Sequence, residues 1–187
     1  MDPRTFLPPR TLDVASPPEP GDRARPLPPP SKGQPALQGG RPTVVAFLRH
    51  TGCPFAELTM HRLRDASAAW PEIQWIAISH APPQATERWR EAVGGAGEVH
   101  VLSDPSRRAY AEWGLGRTSL GHFLGRRSLR GVAGLARQGI RNRHPHGTRW
   151  QAAGTFAVDA RGIVRWRHLP AHAGDVPELE PAVEALR

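Results

Sequence analysis

The 187-residue chain has one cysteine, Cys53, and one lysine, Lys32, among 25 basic residues. A single thiol excludes an internal disulfide framework and any zinc site built on several cysteines. No stretch approaches the ~20 apolar residues that a membrane helix needs, and the N-terminus lacks the apolar core of a secretory signal. A cytosolic, reducing location is therefore the expectation. Acidic residues are missing from a whole region: none lies between Glu112 and Asp159, while eight arginines, from Arg117 to Arg149, fall inside it. The formal net charge of +8 thus has a local source, a basic block within the folded part of the chain. Core-forming side chains are scarce over residues 1–42, which carry proline runs such as Pro17-Pro18-Glu19-Pro20 and Pro26-Leu27-Pro28-Pro29-Pro30. Such a segment is expected to be disordered or polyproline-like, leaving residues 43–187 as the folded domain.

Within that domain the pattern alternates. Thr43-Val-Val-Ala-Phe-Leu-Arg49 reads as a buried strand, and Pro54 to about Trp70 has apolar residues at helical spacing until Pro71 stops it. Residues 73–78 form a second strand, Pro82-Pro83 open a helix running to Val93, and Val99 to Leu102 is a short third strand. Ser103-Asp104-Pro105 supplies an N-cap and a first-turn proline for a short helix ending near Gly114. Residues 155–158 and 163–168 flank Asp159-Ala160-Arg161-Gly162, a hairpin-type turn, and Pro177 to Leu186 reads as a closing helix. Early strands joined by helices imply parallel pairing, and the late hairpin adds an antiparallel pair.

Cys53 stands where the first strand gives way, through His50-Thr51-Gly52, to Pro54 and the first helix. Helix N-termini expose unpaired N–H groups and roughly half a positive charge, which favours a thiolate, and the thiolate is the nucleophile. Arg49 can add to that field, and His50 can serve as acid, base or cationic neighbour. Glu57 lies one helical turn beyond Cys53, placed as a general base or as an anion that slows the thiol.

Four motifs in order carry a resemblance. They are Val44-Val-Ala-Phe-Leu-Arg-His-Thr-Gly-Cys-Pro-Phe55; Leu102-Ser-Asp-Pro105 leading to Tyr110 and Gly114; Gln151-Ala-Ala-Gly-Thr-Phe-Ala-Val-Asp159 with Gly162; and His168 followed by Ala173-Gly-Asp175. Over residues 40–187 the chain resembles the peroxiredoxin-like branch of the alkyl hydroperoxide reductase/thiol-specific antioxidant superfamily. That resemblance implies an α/β, thioredoxin-like three-layer α/β/α sandwich with a mixed central sheet. The basic block at about 116–149 would form a helical insertion before the C-terminal hairpin. The resemblance also implies that Cys53 attacks the O–O bond of a hydroperoxide and becomes a sulfenic acid; from the local residues, Arg49 and the helix N-terminus are the candidates to stabilise the thiolate and Thr51 the candidate to hydrogen-bond the substrate.

The chain departs from the family at three positions. The branch often carries Cys-x-x-Cys, but the position three after Cys53 is Ala56, so resolution would need an external thiol of thioredoxin or glutathione type. The family's Thr three residues before the cysteine is replaced by His50, with Thr51 one residue nearer. Its thiolate-stabilising Arg, just before the Gly-Thr-Phe strand, is matched by Ala153. A reductase of endoperoxide substrates ranks lower because it would lean on the missing cysteine pair. The alternative to an enzyme is a thioredoxin-like redox-sensing or binding module that uses the Arg-rich insertion.

No cofactor or metal is expected. His144-Pro-His146 and the pair His168 and His172 lack the cysteines and carboxylates of a zinc site. The apolar stripe of the insertion is expected to pack on its own domain, so nucleic acid and membrane are not the expected partners. Homodimerisation is left open.

Overall fold

A computed structural model describes residues 10–30, 40–118, 139, 140, 143 and 145–187. Five strands form one mixed sheet: β1 (Thr43–Phe47), β2 (Gln74–Ser79), β3 (His100–Ser103), β4 (Gly154–Val158) and β5 (Val164–His168). Their spatial order is β3-β2-β1-β4-β5. β1 pairs parallel with β2, β2 parallel with β3, and β4 antiparallel with both β1 and β5. The helices are α1 (Pro54–Ala69), α2 (Pro83–Ala92), α3 (Arg108–Glu112) and α4 (Glu180–Glu184). This is the α/β, thioredoxin-like arrangement the sequence pattern implied. None of the helices among the described residues is long and apolar enough to cross a membrane.

Both faces of the sheet are covered, which is why β1 and β2 read as continuous apolar runs rather than alternating ones. Val44, Ala46 and Leu48 pack with Met60 and Leu63 of α1, Trp89 of α2 and Val183 of α4. Val45 and Phe47 point the other way, into a cluster with Tyr110, Trp113 and Phe156. The Trp113 ring lies 4.8 Å from Phe156 and 5.4 Å from Phe47. Tyr110 Oη is 2.7 Å from both Leu48 O and Ile78 O, so it ties together the ends of β1 and β2 beneath the loop that carries Cys53.

Two elements differ from the sequence expectation. α3 begins after Arg107, not after Asp104, because residues 104–107 form a turn first; Asp104 reaches forward instead, its Oδ2 accepting Ala109 N at 2.9 Å. α4 is shorter than the 177–186 pattern and spans Glu180–Glu184, with Pro181 in its first turn.

Residues 10–30 correct the expectation of disorder. They contain no helix or strand, yet they run as an extended strap along β5 and α3. Gly21 N donates to Val164 O and Val164 N to Asp22 O, which covers the edge of β5. Trp113 Nε1 donates to Pro26 O at 3.1 Å, Arg167 reaches Pro17 O and Pro18 O, and Leu27 packs on the aromatic cluster. Proline has no N–H to satisfy, so its carbonyls need only donors from the domain, and these side chains provide them. Residues 1–9, 31–39 and most of the expected helical insertion, 119–138, lie outside the described residues.

The strap depends on a close approach at Gly114, which has φ of 76° and where a Cβ would fall 2.2 Å from Pro17 N. Gly114→Ala is therefore expected to displace the strap while the sheet persists. Exchange of the Val164 amide, bonded to Asp22 O in the parent, should accelerate at least ~10-fold while β1 amides stay protected. Unchanged exchange at Val164 would contradict this account of the strap.

Candidate active site around Cys53

The chain leaves β1 at Phe47, and Leu48 N still bonds to Ile78 O at 2.8 Å before the path turns over residues 49–52. Gly52 takes φ of 91°, a left-handed geometry that glycine adopts at little cost. Cys53 N then folds back on His50 O at 3.2 Å, and Cys53 O accepts Ala56 N and Glu57 N at 3.0 and 3.1 Å. Cys53 is thus the N-cap of the 16-residue α1, with Pro54 in its first turn. It is buried, at 4 % exposure.

Two guanidinium groups, those of Arg49 and Arg149, are influenced electrostatically by Cys53. Burial pushes the Arg49 guanidinium below its usual pKa, the neighbouring Cys53 draws it back up, and Arg149 pushes it down again. Arg149 is likewise lowered by burial and drawn up by Cys53. Arg149 precedes Ala153 by four residues, so a positive charge reaches the sulfur from the segment where the family motif places one, though from a different position.

His50 is buried, and its Nδ1 lies 2.9 Å from Thr51 O, to which it donates. Desolvation drives its pKa down to about 3, so at neutral pH it adds no charge to the field at Cys53. The role of cationic neighbour that the sequence left open to it is therefore not filled. Thr51 is 1 % exposed, and its Oγ1 has no hydrogen-bond partner among the described residues. Buried hydroxyls are nearly always hydrogen-bonded, so an orphan two residues from the only thiol is a donor awaiting an acceptor. Glu57 is held by Arg143, whose Nε and Nη2 approach the two carboxylate oxygens at 3.0 and 3.2 Å. Arg143 N also donates to Gly52 O at 3.0 Å. A carboxylate paired in this bidentate way is largely neutralised, which removes most of its repulsion for a nearby thiolate.

Arg143 and His80 were not foreseen. Arg143 was visible only as one member of the acid-free arginine block. His80 had a topological signal: it directly follows β2, and the register that pairs Phe47 with Ile78, continued by two residues, brings it level with Arg49. Its Nε2 donates to Thr148 O at 3.0 Å, its Nδ1 is buried without a partner, and its ring meets Tyr110 edge-on at 5.6 Å. Together with the bridge between Thr51 and His146, these contacts bring Arg143 and residues 145–149 against the Cys53 loop.

Ala56 and Ala153, where the family motif carries larger groups, line one small cavity of about 30 Å³ together with Arg49, Phe55 and Thr59. Among the described residues no three His, Cys, Asp or Glu side chains gather as a metal site would require. His168 instead meets Asp175 at 3.3 Å, and His144 lies outside the described residues.

The two buried histidines make the fold acid-sensitive. Desolvation lowers His80 to about 4 and His50 to about 3. A histidine depressed on folding contributes fully above its unfolded pKa of about 6.5, and loses that contribution as pH falls toward the folded value. At pH 5 each should have given up about 2 kcal/mol. Denaturant midpoints measured from pH 7 to pH 4.5 should therefore fall steeply, and His80→Gln should flatten the profile; a flat parental profile would contradict the assignment.

A family profile described as AhpC/TSA antioxidant enzyme matches residues 59–172, more than half of the chain and beginning beyond Cys53. A peroxiredoxin-like protein from Aquifex aeolicus superposes with a TM-score of 0.67 at 18% identity, covering 94% of this chain and 90% of that one. A thiol peroxidase from Chromobacterium violaceum gives 0.63 at 15% identity, covering 93% and 89%. The peroxidoxin BcpB from Mycobacterium tuberculosis gives 0.54 at 18% identity, covering 78% of each chain. No curated protein sequence matches this chain.

Proposed function

The chain belongs to the AhpC/TSA antioxidant enzyme family, and from that premise we propose that it is a one-cysteine thiol peroxidase acting on hydroperoxides in the cytoplasm. The observation that carries this reading is the place of Cys53, the only thiol, at the N-cap of α1, with Arg49 and Arg149 both within its electrostatic reach. Two nearby cations and a helix N-terminus favour the anionic charge that develops as the O–O bond breaks.

In the first step the Cys53 thiolate attacks the terminal oxygen of ROOH. An S–O bond forms, the O–O bond breaks, and RO⁻ leaves and takes a proton from water, giving Cys53 sulfenic acid and ROH. The Thr51 hydroxyl is the donor available to hold the peroxide, since no group among the described residues satisfies it. Arg143 keeps Glu57 engaged during attack, which supports reactivity at the sulfur. In the second step an external thiol attacks the sulfenic acid, releasing water and leaving a mixed disulfide. A second external thiol then attacks that disulfide and regenerates Cys53. Ala56 offers no internal alternative.

Treatment with one equivalent of hydrogen peroxide, followed by a dimedone-type sulfenic acid trap, should label Cys53. Peroxide consumption in the presence of excess thiol should vanish in Cys53→Ser. Failure to label, or equal turnover by Cys53→Ser, would remove the proposal.

A further inference from the structure

A second cavity, of about 200 Å³, lies between strap residues 10–12 and 14 and the stretch from Arg107 to Arg117, and none of its described lining residues belongs to the Cys53 loop. Its walls carry three guanidinium-bearing residues, Arg10, Arg107 and Arg117, and no acidic residue among those described. Leu12, Val14 and Leu115 add apolar surface.

Two of these arginines are held in place. Arg117 lies over the Trp150 ring at 4.8 Å, and Arg107 Nη2 donates to Arg10 O at 2.7 Å. Arg107 has φ of 58° and is, among the described residues, the only non-glycine residue with positive φ. Glycine would take that conformation at less cost, so retaining a long cation there points to a use for the guanidinium. Local chemistry leaves its charge under-compensated. The carboxylate that acts on it, Asp104, is also engaged by Ser106 Oγ and Ala109 N, and burial lowers the Arg107 pKa more than Asp104 raises it.

Cations without a facing carboxylate call for an anion. More than one guanidinium favours a head group with close to two negative charges, as a phosphate monoester has near neutral pH. The cavity is smaller than the ~300–1,000 Å³ of drug-sized ligand sites, which favours a ligand smaller than a nucleotide. The apolar wall suits a short carbon body. We propose that this cavity binds a small organic phosphate, with the phosphate between Arg107 and Arg117 and the body against Leu12 and Leu115.

Calorimetric titration of the full chain with phenyl phosphate and with inorganic phosphate, at matched ionic strength, tests this. Phenyl phosphate should bind saturably and at least ~5-fold more tightly than inorganic phosphate, because only it uses the apolar wall. Arg107→Gly keeps the backbone conformation and removes the cation, and it should weaken phenyl phosphate binding at least ~10-fold. Arg117→Gln, away from the strained turn, should weaken it similarly and serves as the independent variant. Absence of saturable binding, no preference over inorganic phosphate, or unchanged affinity in a folded Arg107→Gly or Arg117→Gln variant would each overturn the proposal.

Discussion

Arg49→Met is expected to slow the reaction of Cys53 with hydrogen peroxide by roughly two orders of magnitude at neutral pH, the usual scale for removing one preorganised donor or charge from developing negative charge. Arg49 is 6 % exposed, so its field reaches the sulfur with little screening by water. Methionine is of similar length and fills the space, which separates loss of charge from loss of packing. Arg149→Met should act in the same direction but less strongly, because Arg149 is nearer solvent. The two effects should not add, since both arginines act on one atom. Competition kinetics against a peroxide of known reactivity and alkylation by iodoacetamide supply two readouts, and both should fall together. Arg49→Lys should recover part of the rate by restoring charge without the planar fork. Parental alkylation and peroxide rates in a folded Arg49→Met variant would exclude Arg49 as the stabilising charge.

Cys53 was legible from sequence because every determinant of its position is local. A buried β-branched run, a glycine that can turn and a proline that opens a helix lie within eleven residues of one another. The hairpin was equally visible: Asp159 Oδ1 accepts Arg161 N and Ile163 N, and Gly162 takes the positive φ, all inside one turn. The mixed sheet followed from the same information, since helical connections force β1, β2 and β3 to run parallel while a tight turn forces β4 and β5 antiparallel.

What sequence could not show depends on contacts between distant residues. Glu57 read as a general base or as an anion that slows the thiol, but Arg143, 86 positions away, holds it in a bidentate pair. No local pattern chooses which of eight arginines makes that contact. The strap failed for a related reason. Proline-rich composition reports how little a segment can bury by itself, whereas the strap is held by donors from Trp113 and Arg167, which lie in another part of the chain. The start of α3 was missed because an arginine in left-handed geometry precedes it, a conformation that propensity assigns to glycine.

Ala56→Cys should convert the site from external to internal resolution. Position 56 lies one turn into α1, and Ala56 N already bonds to Cys53 O at 3.0 Å, so the backbone has the geometry of a helical Cys-x-x-Cys pair. The added sulfur has space, because Ala56 lines the cavity of about 30 Å³ that it shares with Ala153. Filling that void should change stability by less than ~1.5 kcal/mol, as volume-tolerant core changes do. After peroxide attack, the new thiol would displace water from Cys53 sulfenic acid within the same molecule, at an effective concentration far above that of any dissolved thiol. Sulfenic acid trapping should drop more than ~10-fold. The oxidised protein should have lost two hydrogens rather than gained an oxygen, and over-oxidation to sulfinic acid at high peroxide should be suppressed. The parental chain, lacking this route, should show the reverse: a trappable sulfenic acid whose lifetime shortens in proportion to added external thiol. Persistence of the trapped adduct in a folded Ala56→Cys variant would mean that the Cys53 sulfur faces away from position 56, toward the Arg149 side of the loop.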